Sequence, residues 1–106
     1  MSWPSDADGD VFRRLESNGF DFSKSYAVDY NVDFDSWPPH PAAVDLLRSE
    51  YGNIEAYESD DGEAGYVQFR IICPVTYEGV TSVQRRVTST LQAYGGVCES
   101  WGVFSR

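Results

Sequence analysis

The sequence predicts an α+β fold, with a four-stranded antiparallel sheet, two helices on one of its faces and one extra helix at the N-terminus. Three observations lead there. Apolar and polar residues alternate with period two over residues 26–34, which makes a strand with one dry and one wet face. Apolar residues recur every three or four positions over residues 76–94, which makes a long amphipathic helix. Turn residues then divide the rest into elements ordered α, β, α, β, β, α, β. The last six form the βαββαβ, ferredoxin-like pattern. Right-handed crossovers put its first and third strands at the centre and its second and fourth at the edges.

Each element has its own local reason. Asp6 or Asp8 can cap a first helix carrying Val11, Phe12 and Leu15 on one stripe, and Asn18-Gly19 stops it. The first strand sets Tyr26, Val28, Tyr30, Val32 and Phe34 against Ala27, Asp29, Asn31, Asp33 and Asp35. Pro38 and Pro39 end the segment, and Pro41 opens a helix where a missing N–H costs nothing. That helix carries Ala43, Val44, Leu46, Leu47 and Tyr51 and ends at Gly52. Residues 54–58 read as a strand, and residues 60–65 as a hairpin turn built on Asp61-Gly62. The third strand, 66–73, alternates Val67, Phe69, Ile71 and Cys73 with Gln68 and Arg70, and Pro74 ends it. The long helix turns Arg85 and Arg86 to its polar side and stops at Gly95-Gly96, before a last strand over 97–104.

At 106 residues the chain is expected to form one domain, residues 8–106, behind a flexible N-terminal segment, residues 1–7. Aromatic residues are 15% of the chain and apolar residues 42%, enough for a core, so wholesale disorder is excluded. The 8 Lys and Arg face 17 Asp and Glu, a net charge of −9, which argues against direct nucleic-acid binding because phosphate neutralisation needs surplus cations. The N-terminus lacks the basic and apolar regions of a signal peptide, and no apolar run is long enough to cross a bilayer, so a cytoplasmic protein without membrane contact is expected. Cys73 and Cys98 sit in strand-like runs without metal-ligand spacing and read as buried thiols.

The residues present point to a binding surface and to no catalytic one. Asp6-x-Asp8-Gly9-Asp10 starts like a calcium loop, but Val11 and Ser17 stand where Gly and Glu are required. His40 is the only histidine and lies in a prolyl turn. No nucleophile triad, metal site or cofactor site is expected. The expected partner-binding residues are Asp29, Asn31, Asp33 and Asp35 on the first strand, Asp60, Asp61 and Glu63 at the hairpin tip, Arg70 pairing one carboxylate across the strands, and Glu99 and Trp101 on the last strand. Unbroken alternation places Val97, Glu99, Trp101 and Val103 on one face and Cys98 and Phe104 on the other, and leaves open which face is the core. An acidic helix-free face repels phosphate and suits Arg or Lys from a protein partner. The rival reading is a small-molecule or enzymatic cleft between sheet and first helix, lined by Phe20, Phe22, Tyr26 and Trp101. A monomer or weak homodimer is expected, since two acidic faces repel.

Several stretches resemble the bacterial regulator of ribonuclease E activity B (RraB) family. Asp8-Gly9-Asp10-Val11-Phe12-Arg13-Arg14-Leu15 and Gly19-Phe20-Asp21-Phe22-Ser23-Lys24 are similar to that family's opening. Pro74-Val75-Thr76-Tyr77, Tyr94-Gly95-Gly96 and Glu99-Ser100-Trp101-Gly102 are similar to its closing segment. The resemblance spans roughly residues 6–104 and implies a small acidic inhibitor of RNA degradation that is not itself an enzyme. It implies action on the basic, RNA-binding scaffold region of ribonuclease E. One departure is expected: the namesake's long acidic C-terminal tail does not follow Ser105-Arg106. The residues that match, Gly9, Asp10, Gly19, Phe20, Gly95, Gly96, Trp101 and Gly102, read chiefly as turn and packing positions.

Overall fold

A computed structural model describes residues 3–58 and 65–104. Its elements run α1 (Ala7–Ser17), β1 (Ser25–Phe34), α2 (Pro41–Tyr51), β2 (Ile54–Glu58), β3 (Gly65–Pro74), α3 (Tyr77–Leu91), a 3-10 turn (Gln92–Tyr94) and β4 (Gly96–Phe104). The strands order as β2-β3-β1-β4, every neighbouring pair antiparallel, so the two longest strands lie at the centre. This is the expected α+β architecture with its additional N-terminal helix. The expected hairpin turn lies outside the described residues, except that Gly65 begins β3.

Local chemistry sets the helix ends. The Asp6 carboxylate accepts from the Gly9 N–H at 2.7 Å and caps α1; Asp8 does not. His40 Nδ1 accepts from the Ala42 N–H at 3.0 Å, so the sole histidine caps α2 ahead of Pro41. Thr76 caps α3 by accepting from Gly79 N–H at 3.0 Å. Gly95 ends the 3-10 turn at φ 73, a left-handed conformation that favours glycine. A Cβ there would also meet the Asp35 carboxylate.

All three helices cover one sheet face. Val28, Tyr30, Val32 and Phe34 of β1 and Val67 and Phe69 of β3 form the core with Phe12 of α1, Ala43 and Leu47 of α2, and Val80, Val87 and Leu91 of α3. Tyr51 closes the far end by stacking on Phe69, ring centroids 4.0 Å apart. Leu46, counted in the apolar stripe of α2, is instead exposed. Cys98 is buried and Cys73 half-buried, both as free thiols, and burial pushes the Cys98 thiol up to about 12.

The extra helix packs against the helical layer through a polar latch. Trp101 Nε1 donates to Asp8 Oδ1 at 2.8 Å, and Gln84 Nε2 donates to Asp8 Oδ2 at 3.3 Å. The Phe12 ring lies 5.3 Å from Trp101. Ahead of the helix, Trp3 stacks on Phe12 at 5.5 Å. The Pro4 carbonyl approaches Gly9 so closely that a Cβ there would lie 1.8 Å from its oxygen.

The last strand corrects the expected alternation. Tyr30 pairs with Trp101 and Asn31 with Ser100, but Val32 pairs with Cys98, so a β-bulge falls at Glu99. The extra residue lets Cys98 and Trp101 both face the core, while Val97 and Glu99 are exposed. Val97, Glu99 and Trp101 therefore do not share a face. Strict period-two counting fails wherever one residue is left unpaired.

Candidate interaction surface

The helix-free face begins with residues that alternate out of the core. On β1 these are Ala27, Asp29, Asn31 and Asp33, and cross-strand pairing sets Ile72, Arg70, Gln68 and Tyr66 of β3 beside them. Glu55 and Tyr57 of β2 extend the face on one side, paired with Gln68 and Tyr66. Val97, Ser100 and Gly102 of β4 extend it on the other, paired with Asp33, Asn31 and Asp29.

Its centre is an ordered polar network. Arg70 Nε donates to Asp29 Oδ1 at 2.7 Å and Arg70 Nη2 to Asp29 Oδ2 at 3.2 Å, the bidentate geometry that suits guanidinium and carboxylate. This is the predicted cross-strand pair. Asp29 is buried, and its proximity raises the Arg70 guanidinium above its usual range. Gln68 Nε2 donates to Asn31 Oδ1 at 2.9 Å, and Asn31 Nδ2 donates to Ser100 Oγ at 3.1 Å, so one row of hydrogen bonds crosses β3, β1 and β4. Tyr57 stacks on Tyr66 at 5.1 Å and donates its hydroxyl to Glu55, which raises the Tyr57 pKa. Gly102 opposite Asp29 brings no side chain, and a hollow of about 230 Å³ remains beside Asp29, Asn31 and Gln68.

Of the residues expected to bind a partner, the fold gathers Asp29, Asn31, Asp33 and Arg70 on this face. Asp29 is not the solvated carboxylate that alternation alone implies, because Arg70 and the surrounding strands cover it. Asp35 follows the end of β1, where its backbone N–H donates to the Gly95 carbonyl, and Glu99 sits in the bulge. Trp101 lies under α1 on the opposite side of the sheet. Asp60, Asp61 and Glu63 lie outside the described residues.

Charge is distributed unequally between the layers. The strands carry Asp29, Asp33, Glu55, Glu58 and Glu99 against one cation, Arg70. The helices carry Asp8, Asp10, Glu16, Asp45, Glu50 and Glu78 against Arg13, Arg14, Arg48, Arg85 and Arg86. The helical layer is thus close to neutral, whereas the sheet is strongly negative. The carboxylates are not all gathered in one patch, but the cations that would offset them are concentrated on the helices.

Two features have no signature in the sequence. The Asp8 latch joins residues 76 and 93 positions apart and has no local signature. Glu55 belongs to a short edge strand whose sequence does not show which way it faces, and its pairing with Gln68 sets it on the open side. The aromatic cleft also differs from expectation. Phe20, Phe22 and Tyr26 pack on one another, with neighbouring ring centroids 4.5–4.8 Å apart, but only Phe22 borders the groove beside α1, and Trp101 does not. Among the described residues no His, Cys, Asp and Glu cluster suited to a metal is present, and no helix is long and apolar enough to cross a membrane.

Comparison with curated proteins finds no match. Comparison with protein families matches residues 5–103 to the family described as Regulator of ribonuclease activity B, which takes in every helix of the fold and all of the sheet but its last residue. The segments that carried the resemblance fall in α1, in the connection from α1 to β1, at the start of α3, and from the end of the 3-10 turn into the bulged last strand. The chain belongs to the Regulator of ribonuclease activity B family.

Proposed function

We propose that this protein regulates RNA turnover without being an enzyme, by offering its acidic sheet face to an Arg/Lys-rich segment of a protein partner. Family membership fits a regulator of ribonuclease activity. The finer reading is that the partner is ribonuclease E or a similar RNA-processing protein, whose basic segment is occupied so that RNA competes for it less well. The protein acts in the cytoplasm, as a monomer or a weak homodimer, and makes no direct contact with nucleic acid.

The observation that carries this reading is the charge asymmetry of the sheet. Its single cation is held by Asp29, while Asp33 and Glu55 stand outward on the open face. Exposed charges are screened within about 8–10 Å at physiological ionic strength, so the association weakens steeply with salt. Titration of a fluorescein-labelled Arg/Lys-rich peptide at low and high salt tests this. Asp33→Lys combined with Glu55→Lys is expected to weaken binding at low salt at least tenfold, while Glu50→Lys on α2 has a small effect. Binding unchanged by the sheet-face pair overturns the proposal.

A further inference from the structure

A second recess lies on the helical side of the molecule, and we propose that it binds one arginine side chain of the basic partner. The inference rests on the partner being basic, and adds where and how one cation is recognised. The recess has a volume of about 720 Å³. Rings of Trp3, Phe22 and Tyr77 line it, with the buried Phe12 ring behind them, and the exposed Glu16 and Glu78 border it. Trp3, Phe12 and Phe22 lie 5.5–6.0 Å from one another by ring centroid, with Tyr77 6.1 Å from Phe12.

This combination selects for a guanidinium. Aromatic faces attract a cation through the ring quadrupole, and a planar guanidinium stacks on them while its edge N–H groups reach carboxylates. An apolar ligand would match the walls but leave both rim carboxylates unanswered. A lysine ammonium would answer the charge but not the flat walls. An anion is repelled by Glu16 and Glu78.

The surrounding contacts fix the walls of the recess. Arg13 of α1 binds the backbone of two lining residues: its Nη1 donates to the Trp3 carbonyl at 3.0 Å and to the Pro4 carbonyl at 3.2 Å, and it pairs with Asp10. It therefore fixes the Trp3 wall, and Asp10 offsets its charge. The Tyr77 hydroxyl donates to Asp6, which fixes a second wall. At the start of α3 the Thr76 hydroxyl already takes the Gly79 N–H, and Glu78 opposes the positive end of the helix.

The test compares two labelled peptides, one Arg-rich and one with every Arg replaced by Lys, titrated against the full chain by fluorescence anisotropy. The Arg peptide is expected to bind about fivefold more tightly, the advantage of one stacked guanidinium. Glu16→Gln with Glu78→Gln, and separately Trp3→Leu, should each remove that preference. Asp45→Asn with Glu50→Gln, the same charge change on α2, should leave it intact. Circular dichroism and thermal melting establish that each variant is folded. Equal affinity of the two peptides for the unaltered chain overturns the arginine site. So does a preference that survives the groove variants. If Asp33→Lys with Glu55→Lys still abolishes binding in either case, the sheet-face reading stands without the groove. Failure of both peptides to bind the unaltered chain overturns both proposals.

Discussion

The two faces of β1 come from alternate residues of one ten-residue strand, yet different forces hold them. On the covered face Val28, Tyr30 and Val32 are fully buried among apolar neighbours, so any loss of volume leaves a cavity. On the open face Asp29 and Asn31 are held by hydrogen bonds to partners contributed by β3 and β4, and Asp33 is exposed. The covered face specifies the fold. The open face is free of that task, so its polar residues can meet a partner without loss of the core.

Substitutions break the comparison in order of effect. Tyr30→Ala removes a ring stacked 5.3 Å from Phe69 and should cost about 3–5 kcal/mol, read as a lowered urea midpoint. Trp101→Phe keeps an aromatic ring under α1 but loses the indole bond to Asp8, and should cost about 2 kcal/mol by the same measurement. A loss from Trp101→Phe as large as that from Tyr30→Ala would mean that the latch, and not the apolar face, dominates stability. Asp29→Asn weakens the tie to Arg70 on the open face and should lower the midpoint less than either, with a difference that shrinks as salt rises. A loss comparable to Trp101→Phe would show that the open face also determines the fold.

The smallest effect sharpens the contrast at the edge of the covered layer. The Tyr77 hydroxyl and the Gly9 N–H hold the Asp6 carboxyl below its usual range. Because the folded pKa lies below the unfolded one, the associated stability is present above about pH 4 and is lost as pH falls through the folded value. Thermal melts of the unaltered chain and of Asp6→Asn should therefore differ at neutral pH and converge in acid. A constant difference down to pH 2 would assign the effect of the substitution to something other than the charge.

Most of the architecture was legible because its signals are local. Pro41 and Gly52 bracket α2, period-two alternation marks β1, and the spacing of Val80, Val87 and Leu91 marks the buried stripe of α3. The Asp29–Arg70 pair was legible as well, since the βαββαβ order makes the first and third strands neighbours. Trp101 was harder to place. Its face depends on the bulge at Glu99, and a bulge is a property of two paired strands that neither strand announces alone.

The order of residues by itself determined the elements, their order and the net charge, because caps, breakers and hydrophobic period act over a few positions. Tertiary structure decided which charges remain outward. It buried Asp29 against Arg70, drew Asp8 to Trp101 and Gln84, and set aromatic walls from the N-terminal arm, α1 and the start of α3 around one recess. Those outcomes depend on distances between residues far apart in sequence, which only strand register and helix packing establish.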